Sequence, residues 1–232
     1  MYEIIYNGIR SSEYGVYAKE RPNIPAARKK SNETSLAGRD GVLYEEEDAY
    51  EETSINILFN YIGQEKEWME RWRMIQEWLA PRNSKLQISD DETYFFKIAK
   101  VELEENERSS RRVGNFTATF RTKDGLSYLV DGTAEYSIDA VRYNPYLATH
   151  PMYYVIGQGT CEIEMNGNRF SVDVAGGIYI DTERQMTLLP DGTVNNTAAK
   201  GEYEGIYLLP GRNSIKISQG FDVKVTPNWR RL

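Results

Sequence analysis

Cysteine and histidine are almost missing from this chain. Its 232 residues hold one of each, Cys161 and His150. One cysteine excludes an intrachain disulfide and a cysteine-built zinc site, and one histidine leaves no second imidazole for a metal centre. This usage suits a reducing cytoplasm, and a cysteine-poor secreted protein would show the same. No run of about 18 apolar residues occurs, so no segment reads as a membrane-spanning helix. The opening "MYEIIYNGIRSSEYGV" lacks an apolar core and carries Glu3 early, unlike a signal peptide. Basic charge is in deficit, with 28 Lys and Arg against 35 Asp and Glu, a net charge of −7 and a pI near 5.0. That balance argues against a surface built throughout to hold nucleic acid.

Catalytic signatures are scarce too. His150 stands beside Pro151 and reads as a loop residue. Cys161, in "GTCEIEM", reads as a small buried side chain, because activating a thiol takes a neighbouring base or cation and nothing local supplies one. The acidic run Glu45–Glu52 lacks the spacing of a calcium loop, and the Gly157–Gly159 stretch is too short to cradle phosphate. Carboxylates are plentiful, so counting cannot exclude a hydrolytic pair, which is recognised by geometry. The expectation is no enzyme, no cofactor and no metal.

Strand-forming sequence, by contrast, is abundant. Hydrophobic residues make up 40% of the chain, with 17 Tyr and 4 Trp, enough for one large β domain or two ordinary ones. In "TSINILFNYI", Ile55, Ile57, Phe59 and Tyr61 alternate with Ser54, Asn56 and Asn60, the period of a half-buried strand. Phe116, Ala118 and Phe120 repeat it, and Lys85–Ile88 with Tyr94–Leu103 read as a hairpin around "SDDE". One helix stands out over residues 64–80. Trp68, Trp72, Ile75 and Leu79 share a face, Met69 and Trp78 flank it, Glu67, Glu70, Arg73 and Glu77 lie opposite, and Pro81 ends it. The spacing suits a helix clamped onto a sheet better than a ligand-stacking platform. Towards the C-terminus, Asn166-Gly167, Asp191-Gly192 and Pro210-Gly211 mark turns between strands of even spacing, as in a sandwich or jelly roll. Texture changes across Thr122–Tyr136, which places domains at 1–130 and 131–232 and leaves open whether the last strand, "VKVTPNWRRL", returns to the first domain.

Residues 20–38, "ERPNIPAARKKSNETSLAG", have two prolines, the basic run Arg28, Lys29 and Lys30, and no periodicity. A structureless connection of this length is uncommon in a compact domain; it is either mobile or used to grip something. Glu45, Glu46, Glu47, Asp48, Glu51 and Glu52 follow, so one chain carries two handles of opposite charge.

In order along the chain come the strand pair "MYEIIYNGIRSSEYGVYA", the loop, "AGRDGVLYEEEDAYEETSINILF", the helix "EWMERWRMIQEWL", the hairpin "SDDETYFFKIAKVELEE" and "VGNFTATFRTKDGLSYL". "GGIYIDTERQMTLL", "YLLPGRNSIKIS" and "FDVKVTPNWRRL" close it. That succession resembles the distal tail proteins of siphophages and prophages, the baseplate hub at the tail tip. It departs from the family at Asp124-Gly125, where Asp-Pro is expected. The resemblance implies a mainly β protein: a barrel-like N-terminal domain with one α-helix, then a galectin-like jelly roll. It implies a homohexameric ring in the virion, assembled in the bacterial cytoplasm, with a lumen that DNA only passes through. The implied partners are the major tail tube protein, the tail-associated lysin or fibre protein, the tape measure protein and a receptor-binding protein or host surface carbohydrate. The implied subunit contacts are Ile24, Pro25, Arg28, Lys29 and Lys30 on the arm. Arg39 and Asp40 at the turn and Glu45, Glu46 and Glu47 beyond it complete them. Two other readings fit the residues. One is a carbohydrate-binding module using Tyr143, Tyr146, Tyr153 and Tyr154; the other is a fragment of a glycoside hydrolase or esterase.

Overall fold

A computed structural model describes residues 2–35, 37, 38 and 40–232. The chain divides into two compact units, one ending at Ser127 and the other spanning Tyr128–Arg231.

The first unit is a curled sheet with a helix in its concave face. Its strands are β1 (Ile4–Tyr6), β2 (Ile9–Arg10), β3 (Val16–Ala18), β4 (Lys29–Ser35), β5 (Val42–Tyr50) and β6 (Ser54–Ile62), followed by α1 (Trp68–Leu79). Then come β7 (Ser84–Ile88), β8 (Asp91–Leu103), β9 (Glu107–Arg108) and β10 (Val113–Leu129). The sheet order is β2-β1-β7-β8-β10-β6-β3, with β9 against β10. Beyond edge strand β3, Arg21 pairs with Asp90 in the β7–β8 turn at 2.7 Å and lies over the Tyr2 ring, so the sheet curls toward closure.

Alternation in β6 and β10 decides which face is inside. Ile55, Ile57, Phe59 and Tyr61 meet Phe116, Ala118 and Phe120 in one buried cluster, and antiparallel pairing sets Phe59 opposite Phe116 with rings 5.2 Å apart. A helix of 12 residues is marginal in water, so α1 is held by what it buries. Ile75, Trp78 and Leu79 enter the core, Trp78 stacks on Tyr14 at 5.2 Å, and Trp68 and Trp72 pack against the cluster at lower burial. Met69 is half exposed, turned from the packed face it was expected to flank. The Tyr6 hydroxyl donates to the Pro81 carbonyl just beyond the helix end.

Gly125 replaces the expected proline at φ +66°, a conformation proline cannot take, so the chain turns here in its own way. The boundary between the units falls inside the single strand β10, between Ser127 and Tyr128.

The second unit holds β11 (Tyr136–Ser137), β12 (Tyr143–Asn144), β13 (Met152–Met165), β14 (Asn168–Asp181), β15 (Met186–Leu188) and β16 (Ala199–Lys200). It ends with β17 (Gly211–Arg212), β18 (Ile215–Ile217), β19 (Asp222–Thr226) and β20 (Arg230–Arg231). The hairpin β13–β14 is its frame, turning on Asn166 and Gly167 at φ 51° and 90°, the signs of a type I′ turn. One end of the hairpin pairs with β19 and β15, the other with β18 and β16. Tyr153 and Val155 from one end and Ile163, Met165, Phe170 and Val172 from the other share one core, which requires the ribbon to fold over on itself. Gly159 and Gly176, at φ 101° and 95°, sit where it bends, in a region that a Cβ disfavours. β19 pairs with β13 and β11, Trp229 is in this unit's core, and the Leu129 amide donates to the Trp229 carbonyl, while the last strand, β20, pairs with β10.

Candidate assembly interface

The segment that read as a loop is largely a ribbon. Residues 21–28 belong to no element, but β4 pairs with β5 as a separate two-stranded sheet. Sequence periodicity missed it for a physical reason: alternation marks a strand only when one face is buried. Here every residue of β4 and Val42–Asp48 of β5 are exposed. The turn between them includes Gly38 and Gly41 at φ 78° and 87°, as its glycines suggested. Asp40 lies in this turn, while Arg39 lies outside the described residues.

A lone two-stranded hairpin is marginally stable in water. This one also carries Val42, Leu43 and Tyr44 beside its turn, 42%, 57% and 63% exposed. Tyr44 pairs with Glu33 and Leu43 with Thr34, so apolar side chains stand on both faces. A ribbon exposed on both faces, with apolar groups at its turn end, has the surface of an element that is covered in an assembly. Sequence reasoning passed over these three residues. The signal that could have found them is an apolar triplet directly after a glycine turn and before an acidic run.

The two charged handles partly meet within the chain. Lys29 Nζ lies 3.5 Å from Glu46 and 3.9 Å from Asp48, and the Asn32 amide donates to Glu47 at 2.9 Å. The register slips between Lys29 and Ser31, so Glu47, Asp48 and Ala49 bulge opposite Lys30 alone. Lys29 is therefore a cross-strand partner inside the hairpin, whereas Arg28 and Lys30 make no ion pair among the described residues. Ile24 is 45% exposed and Pro25 is partly buried.

Carboxylates also gather away from the arm. Glu102 is bound by Lys100 at 2.7 Å and Arg121 at 2.9 Å, and those hydrogen bonds hold its carboxyl below the usual range. Just beyond it, Glu104, Glu105 and Glu107 border a cleft of about 530 Å³ whose other walls are Leu58, Leu103, Asn115, Phe116 and Thr117.

The four tyrosines proposed for sugar stacking do not form one platform. Tyr153 is fully buried and its hydroxyl donates to the Ile206 carbonyl at 2.6 Å, so its ring is core. Tyr154, on the opposite face of the same strand, stacks on Tyr179 at 4.3 Å. Tyr146 packs against Trp229 at 5.9 Å, and Tyr143 is exposed on β12. His150 lies 4.3 Å from the Tyr207 ring, with the Arg230 guanidinium 3.3 Å from its Nε2. Cys161 is fully buried, and burial pushes its thiol pKa up, away from a reactive thiolate.

A curled β unit with one α-helix among the described residues, continuing along one long strand into a folded-ribbon β unit, is a fold shared with a solved structure. The solved structure that displays it is the SPP1 Dit (gp 19.1) protein, described as a paradigm of the hub adsorption apparatus in phages infecting Gram-positive bacteria. The match has a TM-score of 0.67 and covers 100% of this chain and 98% of that one, at 15% sequence identity. The resemblance read from the order of sequence segments is thus present in the fold. No family model matches the chain, and no curated protein matches it in sequence.

Proposed function

We propose that this protein is a structural subunit of a phage tail tip, a hub ring that joins the tail tube to the adsorption or lysin components and leaves a channel for DNA. The observation that carries this reading is the end-to-end likeness to SPP1 Dit, which spans both units. The exposed β4–β5 hairpin supports it, because a ring subunit needs a projecting element for its neighbour. A head-to-tail contact closes into a ring when the rotation per subunit fits, and six copies is the number the resemblance implies. In this reading the protein is non-catalytic and sits in the virion. Its partners are its own copies, the tail tube and tape measure proteins, and the fibre or receptor-binding proteins. The second unit acts as a galectin-like module facing those components.

The test is light scattering coupled to size exclusion, with negative-stain imaging of the full chain. Rings are expected for the wild type. The Lys29 and Tyr50 backbones pair, so two glycines can replace residues 29–50. That variant should keep the melting behaviour of both units and lose the ring. A strict monomer at every concentration up to about millimolar refutes the reading.

A further inference from the structure

We infer that the segment Ile24–Lys30 of one copy lies in the Glu104–Glu107 cleft of a neighbouring copy. This rests on the ring reading above and adds the surface that receives the arm.

The argument begins with unpaired charge. Glu104, Glu105 and Glu107 make no ion pair among the described residues, although Glu102 two positions earlier has two cations. Three carboxylates within four residues repel one another in a chain already at −7. A surface of this kind is relieved by a cation brought from outside. The chain's densest basic run lies on its exposed arm, and among the described residues only its middle member is paired: Lys29 serves the hairpin, while Arg28 and Lys30 make no ion pair.

The apolar parts match as well. Leu58 and Leu103 wall the cleft, and the segment brings Ile24, exposed in the single chain, four residues ahead of Arg28. Pro22 and Pro25 remove two backbone donors, which suits an extended chain laid along a groove rather than paired in a sheet. Ile24 to Lys30 spans roughly 20 Å when extended, enough to place an apolar anchor and two cations along one cleft. Both surfaces recur on every copy, so the contact is heterologous and repeats around a ring. A trans contact with Glu45–Glu52 is the weaker alternative, because Glu46, Asp48 and Glu47 already have partners within the hairpin.

The experiment has two arms, both on the full-length protein. Light and heavy isotope-labelled protein are mixed, assembled and treated with a zero-length carbodiimide. Mixed-isotope cross-links from Lys30 to Glu104, Glu105 or Glu107 are expected. Separately, the pair Arg28→Glu and Lys30→Glu, and the pair Glu104→Lys and Glu107→Lys, should each raise the association midpoint about tenfold. Their combination should return it to within about threefold of the wild type. All four side chains are on the described surface, so melting curves should be unchanged and show that loss of assembly is not loss of fold. If the wild type forms rings but Lys30 links elsewhere, or the combined reversal is no better than either alone, the docking site is wrong and the ring reading stands. If the wild type never associates, both fall together.

Discussion

Gly114 has no side chain because Tyr61 occupies the space. The two residues face each other across the β6–β10 ladder, and the tyrosine ring lies over its partner's backbone. A Cβ on Gly114 would sit 2.3 Å from Tyr61 Cζ and 2.6 Å from its Oη, far inside van der Waals contact. The ring has little room to retreat. It stacks between Trp68 at 6.2 Å and Trp72 at 6.5 Å, leans on Phe116, and its hydroxyl accepts from the Asn106 amide at 2.8 Å. Gly114 is not in the left-handed region, so alanine suits the backbone and on chain entropy alone would stabilise by about 0.4–1 kcal/mol. Overpacking costs about 1–3 kcal/mol and opposes that gain. Gly114→Ala should therefore destabilise the first unit by about 1 kcal/mol net, a melting shift of roughly 3–6 °C. Urea unfolding followed by tryptophan fluorescence measures it, since Trp68, Trp72 and Trp78 report on the first unit and Trp229 on the second. In a Tyr61→Leu background the alanine should cost less than half as much. A Gly114→Ala protein as stable as the wild type, or an equal cost in both backgrounds, refutes the reasoning.

Three further outcomes are expected. Tyr153→Phe should cost the second unit about 1–3 kcal/mol by leaving the Ile206 carbonyl without its donor, read as a lower urea midpoint. Burial pushes the Tyr153 hydroxyl well above the ordinary tyrosine value of 10.0, so its contribution is fully present below pH 10 and is lost as pH rises beyond it. The wild-type alkaline unfolding limb should be steeper than that of Tyr153→Phe. Cys161 should react with a thiol reagent far more slowly in the native protein than in denaturant; equal rates would place it on the surface. Leu43→Ser with Tyr44→Ser should shift stability by less than about 0.5 kcal/mol while weakening association, and a large loss of stability would show that the hairpin turn is buried within the single chain.

The core was readable wherever a strand buried one face. The alternation at Ile55–Tyr61 and Phe116–Phe120, the helix over 64–80 and the turn at Asn166-Gly167 all follow from local rules, because burial on one side imposes a period on the residues. The β4–β5 ribbon escaped because no burial acts on it, so composition alone made it look like a loop. Tyr153 and Tyr154 show the converse: adjacent tyrosines look equivalent in sequence, yet the pleat sends one into the core and the other to the opposite face.

By itself, the sequence determined a mainly β chain with one helix, an acidic surface and an arm carrying three consecutive basic residues. Periodicity, turn chemistry and charge count are properties of neighbours along the chain. Only the tertiary structure decided which charges were already spent. Lys29 meets Glu46 and Asp48 because antiparallel pairing folds residue 29 back toward residue 50, and Glu102 is bound because Arg121 comes alongside it from β10. Charge falls off with distance through space rather than along the chain, so the cations Arg28 and Lys30 and the carboxylates Glu104, Glu105 and Glu107, which make no ion pair among the described residues, emerge only once the strands are laid side by side.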